Sequence, residues 1–512
     1  MIAERKSIHK IGVIITLILF FIASACCIAM GKNTILGVKV IPKDKYEKMV
    51  ADDVDQFNIN ILFNKIPAAT DTATGTVYIS QNIGTQTRSS DLKGVLSVDN
   101  LNYRLMFVED AGFEDMYRST SEGYNYTLIA VNPEGKYKKY NVIFTTLPVF
   151  NIIGEFSGEY DLSREIYKGK IHFFDSHSKE TGSYRTLSTD ACWHKRGNTT
   201  EKLTKAPWKI TTVKASGEND NLSFCGLGED DDWILNAMAL DDLKLREKFA
   251  MDLWNQNKVF TDHNAKMSQG EYTEVVLNGN YVGVFLLQRR VDGKYLGLGD
   301  DSILLKGNSY YPSTLTPDYF EIDHSPYSLQ ETHAFLDKYF ISDITSNQNI
   351  DNLIDTNLFV NLIAAFDNAN EKNIFRLLNN VNSEFDINYI LWDTDMCFGL
   401  IWKASIGFSY DFDATVYRME YRYEFDRLIQ KNPELNKLAA ERWFELRETL
   451  FSNEKIIETV NNNYNALTES NSLQREYERW GVYYGGQDTM DNLYSFIDMR
   501  LEHLDNYYAS FL

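Results

Sequence analysis

Cysteine is scarce in this chain, which holds only five among its 512 residues. Beyond residue 30 only Cys192, Cys225 and Cys397 remain, and an odd number excludes a framework in which every cysteine is bridged. A single bridge is compatible with the sequence, although spacing does not identify its partners. The sequence has neither a His-x-x-x-His pattern nor a paired-cysteine pattern, which argues against a zinc site. The fold is therefore predicted to depend on its hydrophobic core.

The sequence also lacks an excess of positive charge. It has 51 Lys and Arg residues against 72 Asp and Glu residues, a formal net charge of −21. A surface that binds nucleic acid needs a basic face for the phosphates, so this balance argues against a nucleic-acid partner. The nine prolines mark no obvious linker, and no internal repeat or low-complexity tract is present.

Apolar and aromatic residues, in contrast, are plentiful. They make up 44% and 13% of the chain, with 31 Tyr and 30 Phe, which is ample material for packed interiors. A chain of this length is too long for one typical core. Two or three domains are therefore predicted.

The first 30 residues are predicted to be a targeting or anchor segment. Arg5, Lys6 and Lys10 precede an uncharged apolar run over residues 11–30, as in secretory signals and N-terminal anchors. Residues 23–26 resemble the lipobox of bacterial lipoproteins, although Ala23 stands where that motif usually has Leu. This pattern favours cleavage and lipid attachment at Cys26 over a retained helix. Either outcome predicts an exported protein of the cell envelope, anchored outside the cytoplasmic membrane by a lipid or a helix.

Two regions with different patterns follow. Residues 31–146 contain short apolar segments separated by polar turns, which predicts an all-β, immunoglobulin-like sandwich with a spacer or adhesion role. Residues 147–512 combine strands with helices, including an amphipathic helix over 242–257 and a hairpin around Asn278-Gly279. Beyond residue 352 the pattern is mostly helical. The strands of the first region are predicted at 57–63, 75–80, 101–107 and 124–130.

The most informative motif contains Asp393 and Asp395. Residues 389–392 before it are apolar and aromatic, as in a buried strand, and Gly399 after it permits a turn. Two carboxylates at the end of a strand suit a hard cation such as Mg2+. Asp367 and Asn373 upstream could orient a nucleophile and complete the metal shell. The alternative is a solvated acidic turn in which the carboxylates serve only structure.

A second candidate cluster is cationic. Gly197 permits close approach of the backbone to a ligand, and Arg196, Lys205 and Lys209 bring positive charge, so this segment could cradle the phosphates of a nucleotide. Pro207 disturbs the strand register between the two lysines, so the sequence does not decide which of them faces the phosphates. The alternative is that all three are ordinary surface cations.

The predicted amphipathic helix carries two further charged candidates. Arg246 lies on or beside its apolar face, with Asp241 or Asp393 as its partner, in either a structural ion pair or a phosphate contact. Glu247 could pair with a phosphate-binding lysine, as a helical glutamate does in kinases.

Four blocks of the sequence resemble, in order and at sensible spacing, the CotH kinase family of atypical protein kinases. The resemblance covers roughly residues 147–510. The blocks are KRGNTT at 195–200 with KAPWK at 205–209, DWIL at 232–235 with Asp241 and Arg246, LNGNYVGV at 277–284, and WDTDMCFG at 392–399.

The resemblance implies an α+β fold with a two-lobed kinase-like domain over 147–512. It also implies a protein that uses ATP and Mg2+, or Mn2+, to phosphorylate Ser or Thr of a cell-surface or coat protein. Asp367 would be the catalytic residue. Asp393, Asn373 and Asp395 would hold metal, with Asn370 as an alternative ligand because Asn373 lies one residue further from Asp367 than usual. The implied nucleotide-binding residues are Arg196, Gly197, Asn198, Lys205 and Lys209.

One departure from the family pattern is Arg289, where the family usually has Glu. Reversing the charge there could alter nucleotide contacts or packing. A catalytically weak or inactive surface scaffold or adhesion protein is therefore the main alternative function. Another metal-dependent enzyme, such as a hydrolase using the same carboxylates, is the third.

Overall fold

The computed structural model describes residues 34–49, 59–155, 164–178, 182, 184–197, 200–307, 316–341, 347–368, 373–403, 405, 407–415, 429 and 432–512. The fold is mixed α and β, with 31% helix and 32% strand, which confirms the broad class predicted from the sequence. The predicted targeting segment 1–30 lies outside the described residues. In the part of the chain that is described, no helix is both long and apolar enough to span a bilayer.

The region before residue 146 consists of short strands with two small helices. Its helices are α1, Lys43–Tyr46, and α2, Met116–Ser121, with 3-10 turns at Ser89–Asp91 and Ala111–Phe113. Its strands are β1 Thr34–Ile35, β2 Val38–Ile41, β3 Ile61–Phe63, β4 Ile66–Pro67, β5 Ala69–Asp71, β6 Thr76–Ser80, β7 Leu96–Val98, β8 Arg104–Val108, β9 Tyr126–Val131 and β10 Tyr137–Thr145.

These strands form two sheets with one main apolar core and a smaller apolar cluster around Ile129. Seven strands pair in the order β1-β2-β8-β9-β10-β6-β5, and the other three pair as β4-β3-β7. The predicted strands overlap β3, β6, β8 and β9. The core of this region also contains Val149, Phe174, Val276 and Tyr281 from the following region. The predicted boundary at residues 146 and 147 falls between β10 and the next strand, and it stays a prediction.

The second region begins with a closed barrel of seven strands. The barrel strands are β11 Val149–Gly154, β12 Tyr167–Asp175, β13 Arg185–Lys195, β14 Trp208–Val213, β17 Asp232–Asn236, β18 Gly270–Leu277 and β19 Asn280–Arg289, and β15 Leu222–Ser223 pairs with β16 Glu229–Asp230 outside it. Parallel pairing of β11 with β18 closes the barrel.

Three tryptophans fill the barrel. Trp193, Trp208 and Trp233 are fully buried in one cluster with Phe150, Phe173 and Phe285. Cross-strand neighbours Gly154 and Gly169 leave room for the ring of Trp193, since a Cβ atom at either position would overlap it. Aromatic packing therefore stabilises the barrel, and the absence of a side chain at the two glycines leaves the space that this packing needs.

The hairpin predicted at Asn278-Gly279 is present and joins β18 to β19. Asn278 has φ of 46° and Gly279 has φ of 74°, as the tightest hairpin turns require. The hairpin also contacts the first region: Thr72 donates from both its backbone N and its Oγ1 to the Gly279 carbonyl, at 2.7 and 3.1 Å. The rings of Tyr78 and Tyr281 stack at 4.4 Å nearby. The two regions thus share a packed interface.

The remainder of the chain surrounds a four-stranded antiparallel sheet. Its order is β21 Phe320–His324, β20 Ser302–Gly307, β22 Ile374–Asn379 and β23 Asp386–Leu391, and the hairpin of β24 Leu400–Lys403 with β25 Gly407–Tyr410 follows. The helices are α3 Arg246–Trp254, α4 Lys258–Asp262, α5 Gly293–Leu296, α6 Leu329–Phe335, α7 Ile350–Ile363, α8 Pro433–Arg447, α9 Asn453–Glu469, α10 Ser472–Trp480 and α11 Met490–Ala509. Short 3-10 segments occur at Thr200–Lys202 and Pro317–Tyr319, and a π-helical turn at Leu336–Ile341.

One large core joins this sheet to helices α3, α7, α8 and α11. Helix α3 begins four residues later than predicted, because the backbone preceding it turns, with Lys244 at φ of 60°. Cys192, Cys225 and Cys397 are unbridged, so the described region is held by packing rather than by a disulfide.

Candidate active site

The acidic motif forms a loop directly after β23. We call residues 392–399 the acidic loop. The backbone N of Phe398 donates to the carbonyl of Ile363 at the end of α7, at 2.8 Å, and the backbone N of Phe366 donates to the carbonyl of Met396 at 2.9 Å. Asp393 has φ of 59°, a left-handed conformation that few residues other than glycine adopt. The two backbone hydrogen bonds join the second half of the acidic loop to the end of α7 and to the segment that follows it.

The carboxylates of this loop lie close to two others. Asp393 is exposed and Asp395 is half-buried. Burial raises the pKa of Asp395 well above its usual range, and the charges of Asp393, Glu247 and Asp367 raise it further, in that order. The loop, helix α3 and the segment after α7 thus each bring a carboxylate to one place.

Glu247 binds the acidic loop directly. Its Oε2 accepts hydrogen bonds from the backbone N and the Oγ1 of Thr394, at 2.6 and 3.0 Å. Burial raises the pKa of Glu247 to about 8, with Asp393 adding to the rise and Arg196 opposing it. The buried Oε1 of Glu247 has no hydrogen-bond partner among the described residues. Glu247 therefore both fixes the loop and leaves one oxygen for a further ligand.

Two cations lie near these carboxylates, and both are close to the ring of Trp392. The guanidinium of Arg196 and the ammonium of Lys306 each lie 5.7 Å from the centroid of the Trp392 ring. Burial lowers the pKa of both groups, whereas Asp393 raises both. The site is thus a cluster of four carboxylates and two half-buried cations.

Lys306 was missed in the sequence because it belongs to no motif. It lies in β20, after the apolar residues Ile303, Leu304 and Leu305. A lysine at the end of an otherwise buried strand was the only available signal. Its position in the site depends on β20 pairing with β22, which precedes the acidic loop.

Asn368 connects the segment after α7 to Trp392, the first residue of the acidic loop after β23. Its Nδ2 donates to the carbonyls of Asn373 and Trp392, at 2.9 and 2.8 Å, and the Asn373 carbonyl also accepts from the backbone N of Trp392 at 3.0 Å. The buried Oδ1 of Asn368 has no partner within the described part of the chain. The predicted ligand Asn373 is buried here, next to the motif, whereas its alternative Asn370 lies outside the described residues.

Residues 196 and 197, which we call the glycine loop, lie beside this cluster of carboxylates and cations. The backbone N of Arg196 donates to the Pro207 carbonyl at 3.0 Å, and Gly197 follows with φ of 95°. Arg164 donates to the Gly197 carbonyl at 2.6 Å. Of the three predicted contributors at residues 196–198, the structure therefore brings Arg196 to the carboxylates and places Gly197 next to it. Asn198 lies outside the described residues.

The structure does not bring Lys205 and Lys209 to this cluster. Lys205 is buried, pairs with Glu476 of α10 at 2.6 Å and donates to the Val284 carbonyl. Burial lowers its pKa to about 8, and Glu476 opposes that effect. Lys209 of β14 pairs with Asp232 of the neighbouring strand β17 at 2.8 Å. Both lysines are thus committed to ion pairs elsewhere, which their spacing in the sequence did not reveal.

Arg246 and Arg289 also occupy structural positions. Arg246 pairs with Asp241, one of its two predicted partners, at 2.6 Å. Arg289 pairs with Asp230 at 2.8 Å and stacks over Tyr295 at 4.9 Å. The reversed charge at Arg289 is therefore neutralised by Asp230 of β16, beside the barrel.

Asp323 of β21 lies beside the site, and its contribution to the stability of the fold depends on pH. It forms an ion pair with Arg290. Burial raises the pKa of Asp323 from 3.8 to about 6, although Arg290 lowers it. Because the folded protein holds this proton more tightly than the unfolded chain, Asp323 stabilises the fold below about pH 4, and that contribution is lost as the pH rises through about 6.

We therefore expect the Asp323→Asn variant to gain in melting temperature relative to wild type as the pH is raised from about 4 to about 7. Thermal unfolding followed by circular dichroism across this range measures the difference. Asp300→Asn, at an exposed carboxylate, is the control and should track the wild type. A gap between Asp323→Asn and wild type that stays constant with pH would contradict this account.

The donor set fits a hard divalent cation. Asp393 and Asp395 offer carboxylate oxygens, and the buried Glu247 Oε1 and Asn368 Oδ1 are unpartnered among the described residues. Within those residues, no three His, Cys, Asp or Glu side chains are already arranged as a cage for a metal. Mg2+ is commonly held by one or two carboxylates together with substrate phosphates, so two carboxylates from one loop are sufficient.

A comparison with known protein families matches the part of the chain that contains this site. Residues 194–504 match the family model described as CotH kinase protein. This range contains the whole carboxylate and cation cluster and extends over more than half of the chain. No curated protein matches the sequence significantly.

Proposed function

The chain belongs to the CotH kinase family, and from this premise we propose that it is a protein kinase that uses ATP. It transfers the γ-phosphoryl group to Ser or Thr hydroxyls of a surface or coat protein. The observation that carries the proposal is that Asp367 and Asp393 act electrostatically on Asp395, while Arg196 and Lys306 lie beside Trp392 and interact with Asp393. Acidic ligands for a metal, cations for phosphates and a separate carboxylate for the acceptor are the parts that phosphoryl transfer requires.

Each residue has a distinct role in this proposal. Arg196 and Lys306 bind the phosphate oxygens and offset their charge. Asp393 and Asp395 would hold a divalent cation, Mg2+ or alternatively Mn2+. When bound, that cation would neutralise charge developing on the transferred group. Glu247 keeps the acidic loop in place through Thr394.

Asp367 is the proposed catalytic residue. It accepts the proton of the acceptor hydroxyl as the acceptor oxygen forms its bond to the γ-phosphorus. The bond between that phosphorus and the bridging oxygen breaks, and ADP leaves with the electron pair. No covalent enzyme intermediate is needed, so the rate depends on positioning and charge neutralisation.

The proposal extends to architecture and location. We propose that the barrel with α3 and the four-stranded sheet with its helices form the two lobes of a kinase-like domain. The first region would be an immunoglobulin-like module, and the exported chain would be anchored by a lipid on Cys26 or by an N-terminal helix. We also propose Asn373, which lies next to the acidic loop, as a further ligand of the metal.

A catalytically weak scaffold is the second candidate. The observation that favours it is the engagement of Lys205 and Lys209 by Glu476 and Asp232, which leaves fewer cations for a nucleotide. Arg289 at a position where the family usually has Glu points the same way.

Nucleotide-dependent stabilisation separates the two candidates. Ligand at about 100 times its Kd stabilises a protein by about 2.7 kcal/mol, so ATP with Mg2+ should raise the melting temperature measurably. Label from γ-labelled ATP should also appear on an acceptor protein or on the chain itself. EDTA should remove both effects. A folded protein with neither a thermal shift nor transfer would support the scaffold instead.

A further inference from the structure

One buried arginine connects the C-terminal part of the chain to the acidic loop by hydrogen bonds, beside the contact between the rings of Phe398 and Phe496. The guanidinium of Arg246 pairs with Asp241 at 2.6 Å and with both carboxylate oxygens of Asp488, at 3.0 and 2.8 Å. The same guanidinium donates to the carbonyls of Cys397 and Phe398, at 3.0 and 3.4 Å. Arg246 therefore connects residue 488 to the end of the acidic loop.

Further contacts hold the same segment against the start of α3. We call residues 476–488 the C-terminal clamp. Asp242 accepts hydrogen bonds from the backbone N of Tyr483 and Tyr484, at 2.6 and 2.9 Å, and its own backbone N donates to Asp488 at 3.1 Å. At the other end of the clamp, Glu476 pairs with Lys205 and Lys244. The side chains of Asp242, Asp488 and Glu476 are buried, so their contacts are largely shielded from competition by water, whereas Tyr483 itself is exposed.

Two consecutive residues of α3 thus hold the two ends of the acidic loop. Arg246 binds the carbonyls of Cys397 and Phe398, and Glu247 binds Thr394, which lies between Asp393 and Asp395. Any displacement at the start of α3 would move both contacts together. The position of the loop carboxylates therefore depends on what fixes Arg246.

We propose that Asp488 is a positioning residue for phosphoryl transfer, acting through Arg246 on the acidic loop. This inference rests on the proposed kinase function for its effect on rate, but not for its effect on the loop. Groups that orient metal ligands without touching the metal typically change activity by about 10- to 100-fold when altered. The C-terminal clamp would accordingly be part of the catalytic machinery rather than a covering of the core.

The test replaces Asp488 by Asn, which keeps the shape of the side chain and leaves Arg246 paired with Asp241. We expect the amides of Thr394 and Phe398 to exchange hydrogen about tenfold faster, since a hydrogen bond to a charged group is lost. We also expect kcat to fall by about 10- to 100-fold with little change in the KM for ATP. Asp488→Glu should restore part of kcat. Asp498→Asn, at an exposed carboxylate of α11, is the control and should change neither quantity.

The two measurements separate this inference from the proposed function. If the wild-type protein shows no transfer, the kinase proposal fails, and the exchange rates alone then decide whether the clamp holds the loop. Unchanged exchange in Asp488→Asn overturns the inference. So does faster exchange with unaltered kcat in an active protein, because Asp488 would then serve stability alone.

Discussion

Asp393→Asn is expected to lower phosphoryl transfer by about 10³-fold or more while leaving the fold intact. The loss follows from removing a charged ligand, because metal-ion stabilisation of transition-state charge is worth several kcal/mol. The fold should persist because Asp393 is exposed and has φ of 59°, a conformation that Asn adopts readily. Initial rates with ATP and Mg2+ measure the effect, and the melting temperature tests the fold.

The matched control for this experiment is Asp300→Asn, which removes an exposed carboxylate outside the acidic loop. It should keep the wild-type rate. Full transfer by Asp393→Asn would remove Asp393 from the proposed metal site.

Arg475→Met is expected to lower the free energy of unfolding by about 3–5 kcal/mol. Arg475 of α10 pairs with Glu274 of β18 through two hydrogen bonds, at 3.0 and 2.9 Å, and both side chains are buried. Removing one partner leaves an uncompensated charge in the interior. The effect should extend to the interface with the first region, since Glu274 also accepts from the hydroxyl of Tyr281, which stacks on Tyr78. Urea denaturation measures the change.

Two further variants test whether the buried charge is the cause. Arg479→Met removes an exposed arginine from the same helix and should cost little. The double variant Glu274→Gln with Arg475→Met should recover part of the lost stability, because no unpaired charge then remains. If the double variant is as unstable as the sum of the two single variants, packing rather than charge explains the loss.

Local patterns in the sequence predicted much of the fold and part of the site. The turn at Asn278-Gly279, the strand before Asp393 and the helices after residue 352 were all predictable because turn chemistry and hydrophobic periodicity act over a few residues. The family was predictable because four blocks matched in order, and the family model confirms it. Arg196 was identified through its motif for the same reason.

Apart from Asp241, which was one of two predicted partners of Arg246, the partners of the charged residues were not predictable in this way. Lys205 and Arg246 both stood in recognised blocks, yet their partners Glu476 and Asp488 lie 271 and 242 residues away along the chain. No local rule relates positions so far apart: Glu476 reaches Lys205 only once α10 packs against β19, and Asp488 reaches Arg246 only once the segment after α10 packs against α3. Lys306 was not predicted for the same reason, because its place in the site depends on the pairing of β20 with β22.

The amino-acid sequence alone thus determined the acidic loop and the strand before it, because turn chemistry and hydrophobic periodicity depend on neighbouring residues. Only the tertiary structure decided which cations face the carboxylates and which are neutralised in the core. Charge pairing depends on distance in space, and folding rather than spacing along the chain sets that distance.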